Sequence, residues 1–173
     1  IHSVADLLAT CNKKNIPSGA GVRVLDIGTG ANLVYPLIGH AEYGWSFLGV
    51  DIDEAALANA QAILAKNPEL DGEIELRHQT VWENIYTGLL RSGEVFDLSI
   101  CNPPFHNSPD DVHAVSQRKW NNLNKPGAKR GAAEPRLNFG GGGAELWCNG
   151  GERAFVKLMI EQSCNIPKRV MWF

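Results

Sequence analysis

The sequence predicts an α/β fold, a mostly parallel sheet with helices on both faces, and three observations carry that expectation. Short apolar-rich runs at 22–28, 46–53, 73–78 and 95–101 alternate with segments whose apolar residues recur at helical spacing. Each run closes on glycine, aspartate, histidine or Asn-Pro, so polar residues gather where strands end, the place where ligands sit in such sheets. With 173 residues, 44% of them hydrophobic, the chain is long enough to bury one substantial core.

Taken in order, Ile1, Val4, Leu7 and Leu8 share a helical spacing that ends near Asn12 in a Lys/Asn/Pro/Gly loop. "VRVLDIG" (22–28) reads as a buried strand entering a glycine-rich turn, and "SFLGVDID" (46–53) as a second strand ending in acids. Asp53 is placed to cap the next helix, in which Leu57, Ala60, Ile63 and Leu64 share a face and which Asn67-Pro68 closes. "EIELRH" (73–78) alternates like a strand. Residues 81–90 read as a helix, and Gly93 breaks the chain before the fourth strand. The stretch 106–144, rich in Asn, Gly, Lys, Arg and Pro, reads as irregular. A helix is expected over about 152–163, with Phe155, Leu158 and Met159 inward and Glu152 as its cap; "RVMWF" (169–173) follows as a fifth strand. Trp45, Phe47 and the stretch 35–39 read as core packing. Ile1 begins inside a helical pattern and the last apolar run has no terminating turn, so a fragment of a longer protein is expected.

Several classes are disfavoured early. A net charge of −3 offers no global signal for nucleic acid, though it leaves room for a local basic face. Cys11, Cys101, Cys148 and Cys164 are far apart with no CxxC pair, which predicts reduced thiols rather than a disulfide framework or a zinc site. His106 and His113 lack a third ligand, so no metal is expected. There is no membrane-length apolar run and no visible signal peptide, which predicts a cytoplasmic protein, and a monomer is expected.

The turn after the first strand carries the first chemistry. A dinucleotide fingerprint GxGxxG needs glycine at position 33, where Leu33 stands. Instead an acid precedes the glycines, giving D-x-G-x-G with Asp26, Gly28 and Gly30. A carboxylate there repels a pyrophosphate but suits a cationic ligand. S-adenosylmethionine carries a sulfonium and an amino acid and no phosphate. Gly28 and Gly30 allow close backbone approach, and Asp51 has two oxygens for two ribose hydroxyls. An acid 20 to 25 residues after the turn is also a feature of NAD-binding folds; the missing third glycine and the added Asp26 favour the methyl donor. Thr29, Asn32, Ile52 and Gln79, at the same strand ends, complete the expected cofactor set.

The second chemistry lies in "SICNPPFHN", at the end of the fourth strand. Two prolines cannot continue a sheet, because neither donates an N–H. The methyl donor is already electrophilic, so what remains is to hold a planar, weakly nucleophilic amine in line with it. Asn102 Oδ1 and the Pro103 carbonyl are two acceptors for the two N–H groups of such an amine, with Pro104 fixing the direction and Phe105 offering a flat face for a base.

D-x-G-x-G followed by N-P-P-F resembles the amino-methyltransferases with an (N/D/S)-P-P-(Y/F/W) motif. "LDIGTGANLVYPLIGHAEYGWSFLGVDID", "CNPPFHNS", "LNFGG…ELWCNGGERAFVKLMIEQS" and "VMWF" are more specifically similar to the bacterial 23S ribosomal RNA (adenine-N6)-methyltransferase family (RlmF type). Its eukaryotic relatives act on adenines in U6 small nuclear RNA and messenger RNA hairpins. The resemblance spans nearly the whole chain. It implies a class I, Rossmann-like fold and S-adenosylmethionine-dependent N6-methylation of one adenine in 23S rRNA. It also implies a single methyltransferase domain over 1–173, truncated before the last two strands and lacking an N-terminal extension. Asn102, Pro103 and Phe105 match the catalytic motif; Asp26, Gly28, Gly30 and Asp51 match cofactor positions.

Weaker signals surround this site. The loop 118–136 holds Arg118, Lys119, Lys125, Lys129, Arg130 and Arg136 against one acid, with Trp120 among them, and suits RNA phosphates. "GGGGAELWCNGGE" places glycine clusters around Trp147 and Cys148, in keeping with either a lid or a structural turn. Cys101 is expected to be buried and inert. The alternatives are a protein glutamine-N5 methyltransferase, whose motif typically ends in Tyr, a non-catalytic RNA-binding module on the same fold, and a NAD-dependent oxidoreductase.

Overall fold

The computed structural model describes residues 1–104 and 148–173. Its strands are β1 (Arg23–Ile27), β2 (Ser46–Asp51), β3 (Ile74–His78), β4 (Phe96–Cys101) and β5 (Val170–Trp172). The helices among the described residues are α1 (His2–Cys11), α2 (Val34–Tyr43), α3 (Glu54–Leu64) and α4 (Gly151–Ser163). All strand pairs are parallel, in the order β3-β2-β1-β4-β5. The order reverses at β1, between β2 and β4, which creates a crevice at the carboxyl ends of the strands.

Two apolar layers sandwich the sheet. On one face Ala5 and Leu8 of α1 pack with Val24, Trp45, Phe47, Ile74 and Leu98, and Leu37, Tyr43 and Leu64 close that side. On the other face Leu25, Ile27, Leu48 and Val50 meet Ile85, Tyr86 and Leu89, with Phe155, Leu158 and Met159 of α4 above them. Alternate residues of β1 thus serve opposite layers, and both are apolar because both faces are covered. Trp45 is fully buried and its indole N–H donates to the Pro17 carbonyl at 2.8 Å, which removes the cost of burying that group. The expected core role of Trp45 and Phe47 follows directly from these contacts.

Asp53 caps α3 as its position predicts, its Oδ1 accepting from the backbone N–H of Ala55 (2.8 Å) and Ala56 (3.3 Å). Glu152 does not cap α4: the N-cap is Gly150 at φ +83°, and Glu152 sits in the first turn, where its charge still favours the helix dipole. In α1 Leu7 faces outward and Ala5, Leu8 and Ala9 are the buried residues.

A second local expectation also needed correction. Residues 81–90 are not a helix. Their backbone groups are claimed by side chains from elsewhere: Gln162 Oε1 accepts from the N–H of Tyr86 (2.9 Å) and Thr87 (3.2 Å), and Arg77 donates to the Leu89 carbonyl at 2.8 Å. Gly88 at φ +71° breaks any helical run, so Ile85, Tyr86 and Leu89 reach the core through turns. Conversely, the stretch 35–39, expected only as core packing, belongs to α2, a helix that Pro36 and Gly39 mask in the sequence. Pro36 lies in the first turn, where its missing N–H costs nothing. Gly39 lets the helix settle onto β2, since a Cβ there would lie 2.3 Å from Phe47 Cζ.

Candidate functional site

Register brings the predicted residues to one edge. Ile27 of β1 pairs with Val50 of β2 and Cys101 of β4, and Asp51 pairs with His78 of β3. The glycine turn, Asp51-Ile52, Gln79 and Asn102 therefore all leave the sheet at the same end, on strands about 4.8 Å apart.

The turn is held by β2. Val50 O accepts from the N–H of Gly28 (2.8 Å) and Thr29 (3.0 Å), and Asp51 Oδ2 accepts from Gly30 N at 2.9 Å. Gly28 and Gly30 adopt φ of +73° and +68°, the left-handed region that glycine enters without a Cβ penalty. Leu33, where a dinucleotide fingerprint would place its third glycine, is itself left-handed at φ +51°. That conformation costs a branched residue roughly 1–3 kcal/mol. Full burial of the leucine side chain contributes a comparable ~1.5–3 kcal/mol in return.

The two acids differ in their surroundings. Asp26 is completely buried; its Oδ2 accepts the Thr29 hydroxyl at 2.7 Å and its Oδ1 has no hydrogen-bond partner. Burial pushes the Asp26 carboxyl up to about 7; the Thr29 hydroxyl opposes the rise and the neighbouring Asp51 charge adds to it. Asp51, also buried, divides its oxygens between Gly30 N and Asp53 N, the latter at 2.9 Å to Oδ1. Each Asp51 oxygen keeps a second lone-pair direction. Among the described residues no salt bridge reaches either acid.

Gly49 is the residue sequence reasoning missed. It pairs with Asp26 across β1 and β2, and a Cβ there would lie 2.8 Å from Thr29 Oγ1 and 3.1 Å from Leu76 Cδ2. The bare backbone makes room for the threonine that holds Asp26. A glycine in the middle of a buried strand, between Phe47-Leu48 and Val50, is the signal that points to such a close approach.

The remaining cofactor candidates lie around the acids. Ile52 is exposed and its carbonyl contacts His78 Nε2 at 3.1 Å. Gln79 donates its backbone N–H to Asp51 O at 2.9 Å. Asn32 is exposed on the turn leading to α2. Beyond β4, Asn102 is exposed and Pro103 and Pro104 are half-buried. Cys101, just before them, is half-buried, and its thiol is pushed up to about 12 by burial and by the charges of Asp26 and Asp51. It stays protonated and unreactive at neutral pH. Phe105, Arg118, Lys119, Lys125, Lys129, Arg130, His106, His113, the glycine run 140–143 and Trp147 lie outside the described residues. Among the described residues no group of His, Cys, Asp or Glu could hold a metal ion, and no helix is long and apolar enough to cross a membrane.

A parallel sheet in this order, an acid-bearing glycine turn after β1 and an acid closing β2 define a class I, Rossmann-like methyltransferase fold. Comparison with known proteins places the chain more narrowly. A family described as RNA methyltransferase matches residues 1–173, and the chain belongs to that family. It is 92% identical over 173 residues to the ribosomal RNA large subunit methyltransferase F of Dechloromonas aromatica (strain RCB), covering 100% of this chain and 51% of that protein. To the protein of the same name from Ectopseudomonas mendocina (strain ymp) it is 56% identical with the same coverage. The chain thus spans about half the length of the curated relatives it matches. Among solved structures, the hMettl16 catalytic domain in complex with MAT2A 3'UTR hairpin 1 superposes with a TM-score of 0.64 at 29% identity, over 86% of this chain and 47% of that one. The N-terminal domain of human METTL16 in complex with SAH gives a TM-score of 0.58 at 25% identity, over 98% and 50%.

Proposed function

We propose that this protein transfers a methyl group from S-adenosylmethionine to the N6 amine of an adenine in 23S ribosomal RNA, in the cytoplasm. The observation that carries the reading is the buried Asp26, with one oxygen left without a partner, near Asp51 beneath the glycine turn and in register with Ile100, two residues before Asn102 on the neighbouring strand. Two buried acids that no cation among the described residues meets suit a ligand that brings positive charge and hydroxyl donors, and a sulfonium nucleoside of an amino acid does both. Asp26 would face the cationic amino-acid end, and Asp51 the ribose hydroxyls through its remaining lone pairs. Ile52 and Gln79 would flank the base, and Asn32 would lie beside the glycine turn. S-adenosylmethionine, when bound, supplies an electrophilic methyl group.

Asn102 and the Pro103 carbonyl then do the chain's own work. They accept the two N–H groups of the target amine, keep its lone pair available on nitrogen and aim it. Pro103 and Pro104 restrict that carbonyl at low entropic cost. Phe105 would stack on the target base, a contact typically worth ~1–3 kcal/mol. RNA as the substrate class is supported by the family and by the names of its relatives, and the basic residues Arg118, Lys119, Lys125, Lys129 and Arg130 suit phosphate contacts.

The test is transfer of tritium from labelled S-adenosylmethionine by the full-length protein, with deproteinised 23S rRNA and total protein as separate acceptors. Label in rRNA is expected, and Asn102→Ala should lower it by about 10² or more while leaving cofactor affinity nearly unchanged. Label in protein alone would instead favour glutamine methylation, and equal loss of transfer and affinity would remove the role given to Asn102.

A further inference from the structure

We infer that Asp26 couples cofactor binding to proton release: its carboxyl is neutral in the unliganded protein and becomes a carboxylate when the cationic cofactor binds. The inference rests on the proposed cofactor reading and adds to it a pH dependence and a preference for the charged donor over its neutral product.

The geometry leaves Asp26 poor options as an anion. It is at the centre of the sheet with no exposed surface, and Oδ1 is without a donor. The elements packed against it bring no positive charge among the described residues. From the turn comes the Thr29 hydroxyl, at 2.7 Å from Oδ2; from β2 come Gly49 and the Asp51 carboxyl; from β4 come Ile100, its register partner, and the Cys101 thiol, close enough to interact electrostatically. One neutral donor facing one acid and one thiol is too little to hold a second buried negative charge, so the carboxyl titrates near 7 rather than near 4. A proton on Oδ1 neutralises the group.

A ligand carrying positive charge reverses this balance. Next to it the carboxylate is favoured, and the proton leaves to solvent. The coupling has a sign and a size. Below a midpoint near 7, binding must displace the proton, so affinity weakens by up to tenfold per pH unit; above it the carboxylate is already formed and affinity levels off. After methyl transfer the sulfonium has become a neutral thioether, the carboxylate loses part of its partner, and protonation of Asp26 favours product departure. Burial raises the midpoint and Thr29 restrains it, since its hydroxyl stabilises the carboxylate through Oδ2.

Isothermal titration of the full-length protein with S-adenosylmethionine, in buffers of low and high ionisation enthalpy at pH 6, 7 and 8, reads the proton count directly. Expected is release of close to one proton per cofactor at pH 6, about half at pH 7, and an affinity about tenfold weaker at pH 6 than at pH 8. Asp26→Asn should abolish both the release and the slope. Thr29→Val, nearly isosteric, should move the midpoint upward and keeps the test available if Asp26→Asn fails to fold. S-adenosylhomocysteine should show the smaller pH dependence. Tight binding with no proton exchange and a flat profile in the wild type overturns the inference while leaving the cofactor reading intact. Absence of binding at every pH overturns both.

Discussion

Replacing Gly49 by alanine tests whether β2 was shaped to position the glycine turn. The added Cβ would sit 2.8 Å from Thr29 Oγ1, 3.1 Å from Thr29 Cβ and 3.1 Å from Leu76 Cδ2. Leu76 is the end of a flexible chain and can yield, but Thr29 stands on a turn tied to Val50 and Asp51. Its hydroxyl must therefore leave the Asp26 carboxyl, now 2.7 Å away, and both Asp26 oxygens become unpartnered. Overpacking of this kind costs about 1–3 kcal/mol. A buried acceptor left unpaired costs a further ~1–3 kcal/mol. Against these, removing a glycine from a strand returns ~0.5–1 kcal/mol through the unfolded chain. A net loss of roughly 2–4 kcal/mol is expected, which lowers the melting temperature of a domain of this size by about 5–12 °C. Gly21→Ala is the control, because no atom lies within 4 Å of its added Cβ and its φ is ordinary. Thermal unfolding by circular dichroism, with the cofactor titration at pH 7 alongside, reads both consequences. If Gly49→Ala melts with the control and binds cofactor as the wild type does, the link from Gly49 through Thr29 to Asp26 is wrong.

Two further predictions address the frame and the substrate. Arg77 makes a paired contact to Glu94, with its two terminal nitrogens at 2.9 and 2.8 Å from the two carboxylate oxygens; with the Arg91 N–H it helps hold that carboxyl down to about 2 despite opposing burial. A depressed acid gives stability that is complete above its unfolded value of about 4.5 and is lost as pH falls through about 2. Glu94→Gln should thus lower urea stability by ~1–3 kcal/mol at pH 7, and the gap from wild type should narrow at pH 2.5; an equal gap at both values would exclude the ionic contribution. For the substrate, neutralising Lys129 and Arg130 together should weaken RNA binding and reduce the slope of log affinity against log salt by about 1.5–2. An unchanged slope in filter binding would remove those residues from the phosphate contacts.

How much was legible along the chain depends on how local each signal is. Strand runs and polar strand ends are written in adjacent residues, so β1, β2, β3, β4 and β5 all fall where alternation or apolar runs place them. The Asp53 cap is equally local, a carboxylate two and three residues from the amides it accepts. Failures occur where a distant group overrides a local pattern. Residues 81–90 have helical apolar spacing, yet Gln162, more than seventy residues on, takes the N–H groups of Tyr86 and Thr87 into its own amide. In α2 the reverse happens: Pro36 and Gly39 spoil the local pattern, and docking against Phe47 is what makes Gly39 suitable.

The same division runs through the site. Composition and spacing alone determined the acid-glycine turn, the acid closing β2 and the Asn-Pro-Pro step, because each is a run of chemically constrained residues beside a strand end. Tertiary structure decided what those residues experience. Asp26 is an ordinary carboxylate in the sequence; only the sheet on either side, the Thr29 hydroxyl lodged against Gly49 and the neighbouring Asp51 turn it into a buried acid that titrates near 7. Burial and charge proximity depend on which strands lie side by side, and that is a property of the folded sheet, absent from any single stretch of chain.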